Sequence, residues 1–114
     1  MTWKFVAHPE YGMEIEPADR FNENTTIGIV DWLLSDINRN RENLKRYRSR
    51  WAEVLSGKYE KVLGNGTGQT LVDGNKVVLE SLYERWDDIT LTLDEFNEIL
   101  DKYAQYLEEY FEDK

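Results

Sequence analysis

Apolar and polar positions alternate twice near the start of the chain, across Trp3-Lys4-Phe5-Val6-Ala7 and again across Gly12-Met13-Glu14-Ile15-Glu16. A period of two marks a strand, because successive side chains point to opposite faces. The intervening His8-Pro9-Glu10-Tyr11 contains a proline and precedes a glycine, so it reads as a turn. The two segments predict a β-hairpin that buries Trp3, Phe5, Met13 and Ile15 on one face. Pro17 has no N–H for a ladder hydrogen bond and ends the second strand.

Ala18 to Asn24 is polar and loop-like, and a helix is predicted to start at Asn24, Thr25 or Thr26, whose side chains can cap free N–H groups. From there the pattern becomes helical, with apolar residues at Ile29/Val30, Leu33/Leu34, Ile37, Leu44, Tyr47, Trp51 and Val54/Leu55. The spacing lapses between Ile37 and Leu44, where Asn38, Asn40 and Asn43 are weak helix formers. The segment predicts either one long helix with an exposed middle or two helices with a bend. Ser56-Gly57 is a natural stop, and Tyr59, Val62 and Leu63 are expected to add a further helical turn.

Beyond the glycine-rich Gly64-Asn65-Gly66-Thr67-Gly68, the runs Gln69–Val72 and Lys76–Tyr83 flank Asp73-Gly74-Asn75. Asp-Gly between β-branched runs predicts a second hairpin. Glu84–Asp88 reads as a loop. Thr92-Leu93-Asp94-Glu95 matches a capping box, in which the Thr hydroxyl and the Glu carboxylate each accept from a free N–H of the first turn. The helix it opens carries Leu93, Phe96, Ile99/Leu100, Tyr103, Tyr106/Leu107 and Tyr110/Phe111 on one stripe, with a mostly acidic opposite face. The expected fold is α+β: an antiparallel sheet built from two β-hairpins, with helices packed on one face, in a single domain over residues 1–114.

Composition narrows the function. The 114 residues carry a net charge of −9 with no cysteine, which excludes a disulfide scaffold and any thiolate chemistry. The 13% aromatic content supplies enough large side chains to repay ordering. No apolar run is long enough for a membrane span, and the start of the chain lacks the apolar core of a signal peptide, so a cytoplasmic protein with no membrane partner is expected. The charge is uneven. Residues 38–61 hold eight basic and three acidic side chains, a net charge of +5, whereas the rest of the chain holds six basic and twenty acidic, or −14. The acids gather at the two ends, above all from Glu80 to Asp113. Such a surface repels phosphate and attracts a cationic protein, so no direct nucleic-acid contact is expected. Two plainer readings of these charges are pairing of the basic segment with the acidic ends inside the monomer, and ordinary solvated faces.

Little in the sequence carries catalysis. The single histidine, His8, sits in the first turn with no nucleophile in view, and there is no His/Cys set for zinc. Asp87-Asp88 and Glu108-Glu109 lack the spacing of a calcium loop. Gly64–Gly68 lacks the Lys-Ser/Thr of a phosphate-binding loop. The reading is therefore a non-enzyme with no catalytic residue, no cofactor and no metal. Tyr83, Glu84, Trp86, Asp87 and Asp88 stand out instead as partner-binding residues, since aromatics anchor interfaces and the neighbouring acids suit a basic partner. In the plainer reading, Tyr83 and Trp86 cover the end of the core.

The succession Trp3-Lys4-Phe5, Gly12-Met13-Glu14-Ile15 and Asp31-Trp32-Leu33-Leu34-Ser35-Asp36-Ile37, continued by Thr70–Leu79 and Leu93–Leu100, resembles the small enterobacterial YacL-type proteins. It is also similar to the related immunity proteins of bacterial contact-dependent growth inhibition systems. That resemblance implies a cytoplasmic protein that binds and neutralises a cognate toxin domain, commonly a basic nuclease. It carries no contact residue over by position. Two other readings stand beside it: a YacL-like housekeeping adaptor for another cellular protein, and a small enzyme using carboxylates or a metal.

Overall fold

The computed structural model describes residues 2–10 and 12–111. Tyr11 of the expected first turn and the acids Glu112 and Asp113 of the expected acidic end lie outside the described residues. The first hairpin pairs β1 (Lys4–His8) with β2 (Gly12–Glu16), Phe5 opposite Ile15. Trp3, Phe5, Met13 and Ile15 are all buried, on the face that alternation assigns to them, and β2 ends immediately before Pro17.

Helix α1 (Glu23–Trp32) starts slightly before the expected residues, because Asn22 rather than Asn24 is the cap: its side chain accepts from the Thr25 N–H at 2.8 Å. The apolar lapse after Ile37 produces two helices and a break. The end of the first widens into a π-helical turn (Leu33–Ile37), closed by the Asn38 N–H donating to the Leu33 carbonyl at 2.7 Å. Asn38 then takes φ 66°, and Asn40 caps α2 (Arg41–Leu55) by accepting from the Asn43 N–H. The Asn43 side chain donates back to the Ile37 carbonyl, and the Tyr103 hydroxyl donates to the Asn38 carbonyl at 2.7 Å. Asparagines that disfavour a helix interior thus supply the caps that a helix break requires.

Ser56-Gly57 ends α2 as expected, but no helical turn follows. Val62 is the inward residue of a short strand, β3 (Lys61–Leu63), flanked by two exposed neighbours. β3 pairs with β4 (Thr67–Val72), β4 with β5 (Lys76–Ser81), and β5 with β6 (Ile89–Thr92), all antiparallel. Asp73 and Gly74 turn the central hairpin with φ 55° and 75°. The hairpins do not join: β1 and β2 form one sheet, and the short chain connections on either side of the second hairpin extend it to four strands. The α+β class holds, with two antiparallel sheets and three helices.

Helix α3 (Leu93–Phe111) opens with the expected reciprocal capping box: the Glu95 N–H donates to Thr92 Oγ1 at 3.0 Å, and the Thr92 N–H donates to Glu95 Oε1 at 2.9 Å. Its apolar stripe meets both sheets. Phe5 packs edge-on against Tyr103 and Tyr106, while Phe96 stacks on Trp32 with ring centroids 5.0 Å apart and meets Trp51 at 4.6 Å. One core runs continuously from Trp3 in the first hairpin to Leu79 and Leu91 in the second sheet. The helices cover only one face of the four-stranded sheet, as period two requires: Val62, Gln69, Val77, Leu79, Ile89 and Leu91 point inward, and Lys61, Lys76, Thr90 and Thr92 outward.

A polar network crosses this core. The Tyr47 hydroxyl donates to Gln69 Oε1 at 2.7 Å, Gln69 Nε2 donates to Thr67 Oγ1 at 2.7 Å, and the Thr67 hydroxyl donates to Asp36. Burial, with the Asp36 charge adding to it, pushes the Tyr47 phenol well above its ordinary value. No helix of the described residues is long and apolar enough to cross a membrane.

Candidate functional site

The aromatic-acidic loop between β5 and β6 is tied to α1 by side-chain hydrogen bonds. Asn24 Oδ1 accepts from the Asp87 N–H and its Nδ2 donates to the Asp87 carbonyl, both at 2.9 Å, which fixes the loop over the first turn of the helix. Two turns on, Asp31 collects three donors: Trp86 Nε1 at 2.8 Å, Arg85 Nη2 at 3.1 Å and Ser35 Oγ at 2.9 Å. The loop bends through Glu84 at φ 56°, and Ser81 Oγ accepts from the Arg85 N–H.

These ties separate the five residues singled out from sequence. Trp86 is only 7% exposed and lies across Gly28 of α1, where the helix passes too close to Trp86 and Ile89 for any side chain. It covers the end of the core and lends one edge to the surface above. Tyr83 is 68% exposed, beneath the Arg85 guanidinium at 5.7 Å. Glu84, Asp87 and Asp88 are exposed around it.

Beside the loop, α1 and β2 frame a groove of about 500 Å³. Met13, Ile27, Val30, Leu34 and Trp86 line it with apolar surface, while Glu14, Thr26, Asp31 and Arg85 complete its walls. Ile27 stays 48% exposed. The Glu14 carboxylate, near His8 at 3.8 Å, borders the groove, and a separate shallow depression lined by Asn22, Glu23 and Asn24 shares Ile27 with it. At the Leu34 end the Arg39 guanidinium lies over Gly12 and against the Phe111 ring at 5.5 Å.

Sequence reasoning found the loop and missed the groove. The missing signal lay in α1: Ile27, Val30 and Leu34 recur at helical spacing on a second stripe, beside the one formed by Ile29, Leu33 and Ile37. A helix with one core contact needs one stripe. The doubled apolar positions form one broad arc: Val30 and Leu34 pack against the edge of the core, and the arc runs on to exposed Ile27 at the groove.

The remaining charged clusters are arranged differently. Of the basic segment, Arg48 reaches across to Asp101 of α3 at 2.6 Å, whereas Lys45 and Lys58 pair locally with Glu42 and Glu53. The glycine-rich loop encloses an internal anion, as the Gly66 and Thr67 N–H groups both donate to the Asp36 carboxylate. No group of three or more metal-ligating side chains converges among the described residues. The groove and its loop offer apolar surface, an exposed aromatic and acidic flanks: the means to hold another molecule. No family model, curated protein or solved structure matches this chain.

Proposed function

We propose that the protein is a stoichiometric inhibitor of the immunity type, which binds a cationic toxin domain through the face formed by α1, β2 and the 82–88 loop. The observation that carries this reading is the acid-flanked apolar groove lying beside exposed Tyr83. Large exposed apolar grooves are uncommon on proteins without a partner for them. Aromatic anchors at such a place are the usual source of binding energy. A net charge of −9 selects a positively charged partner and accelerates encounter with it. Inhibition then follows from occupancy: the bound protein covers the partner's substrate cleft, and its acids stand where an anionic substrate would approach.

Affinity capture of the tagged full chain from its native host tests the proposal. The expected result is an equimolar complex with a basic toxin domain, whose association rate falls as salt is raised. A complex with some other cellular protein that has no toxic activity supports the adaptor reading instead. Salt-insensitive association counts against electrostatic recognition, and thermal stabilisation by a divalent cation, reversed by a chelator, favours the enzyme reading.

A further inference from the structure

We infer that the groove receives an amphipathic, basic helix of the partner, with aliphatic side chains seated over α1 and a lysine or arginine reaching the Glu14 carboxylate. This inference rests on the reading of the face as the partner-binding surface and names what that surface recognises.

Three observations carry it. The first is shape. Ile27, Val30 and Leu34 recur at the i, i+3, i+7 positions of the α1 segment, so the apolar floor runs along it for about 10 Å, or two helical turns. Trp86 and Met13 also line the groove. A helix laid along such a groove places its own i and i+3 or i+4 side chains on the floor, whereas a strand would present them at the wrong period.

The second is charge. Among the described residues that line the groove, the acids are Glu14 and Asp31 and the cation is Arg85. Arg85 already pairs with Asp31 at 3.1 Å, and Glu14 has a half-exposed side chain. Glu23 continues the acidic flank past Ile27, and Asp87 is fastened at the same end through Asn24. Arg39 stands at the Leu34 end, so a basic flank on the Ile27 end of the incoming helix is complementary to Glu23 and Asp87, while an anionic lipid surface or an acidic peptide is repelled there.

The third is rigidity. The Asn24–Asp87 pair and the Asp31–Trp86 bond fix the loop that carries Trp86 against α1 before any partner arrives. A preformed wall lowers the ordering cost of binding, so a short helix suffices.

The test uses the full chain, labelled for NMR, and synthetic probes. One is an amphipathic leucine–lysine helical peptide; the second is the same composition scrambled so that no apolar face forms. A third is an uncharged amphipathic helix. The amphipathic basic peptide is expected to shift the Trp86 indole N–H resonance and the amides of Ile27 and Leu34. Ile27→Ser, at an exposed position, is expected to weaken that binding about five-fold or more. Glu14→Gln is expected to weaken it and to reduce its salt dependence. If the scrambled peptide binds equally, with shifts spread over the acidic surface, the helix-in-groove inference is overturned while recognition of a cationic partner stands. If the uncharged helix binds as tightly as the basic one, the assigned role of Glu14 is overturned. Absence of groove shifts with every probe overturns the inference outright, and because capture of the toxin is measured separately, that outcome does not decide the proposed function.

Discussion

The Asp36 carboxylate fills the bend of the glycine-rich loop, where a phosphate would sit in a nucleotide-binding loop. It accepts from the Gly66 and Thr67 N–H groups and from the Thr67 hydroxyl, and a Cβ on Gly64 would overlap it. Asp36→Ala leaves those part-buried donors unmatched and is expected to cost about 2 kcal/mol by urea denaturation. Gly64→Ala expels the same carboxylate, so the double variant should lose less than the sum of the single losses, with a coupling of about 1 kcal/mol. Full additivity would show the two residues to be independent. The loop's glycines were visible in sequence, but the anion they enclose was not, because Asp36 stands thirty positions away from Gly66 along the chain. Burial also raises the Tyr47 and Tyr103 phenols above their ordinary value of 10.0, helped in Tyr103 by its neighbour Tyr106 and opposed by Arg39. The folded chain therefore keeps protons that the unfolded chain releases. Stability from these groups is complete below about pH 10 and is lost as pH rises through the folded-state values. Tyr47→Phe is expected to be less stable at neutral pH, having stranded Gln69, yet to lose stability less steeply in alkali. Denaturation midpoints followed across that range, together with phenolate absorbance, measure both effects.

Among the elements, those with local chemistry were legible. The period-two face of the first hairpin, the Asp73-Gly74 turn and the Thr92–Glu95 capping box each require only neighbouring residues. Thr92→Ala is accordingly expected to destabilise by about 1 kcal/mol, read from the thermal or urea midpoint. The short strands were not legible: β3 offers a single inward residue, Val62, and β6 offers Ile89 and Leu91, too few to establish a period. Both become strands because the β4–β5 hairpin has open edges to pair with. Gly28 makes a similar point about tertiary override. An alanine inside a helix usually improves stability by about 1 kcal/mol over glycine. Here its Cβ would press on Ile89 and the Trp86 ring, so Gly28→Ala is expected to destabilise by about 1–3 kcal/mol and to shift the Trp86 indole resonance. A stabilised variant would contradict the close packing of α1 on the loop.

At the scale of the whole molecule, the division into a +5 segment and a −14 remainder has a spatial meaning. Arg48–Asp101 stitches α2 to α3, but exposed pairs of this kind contribute roughly 0–1 kcal/mol, so they do not explain the charge excess. The excess acts outward, on what approaches. Sequence reading reached this acidic character and the 83–88 loop, since both are matters of composition. It did not reach the groove, which exists only where β2, α1 and that loop come together, and whose floor is written in sequence as surplus apolar residues on α1. Neutralisation of a cationic toxin by this face is decided by growth on co-expression with the reading frame immediately upstream. Cells expressing that frame are expected to survive only when this protein is also made, with weaker protection from an Ile27→Ser, Tyr83→Ala double variant that still folds. An upstream product that is harmless alone, or that kills equally with and without this protein, would contradict it.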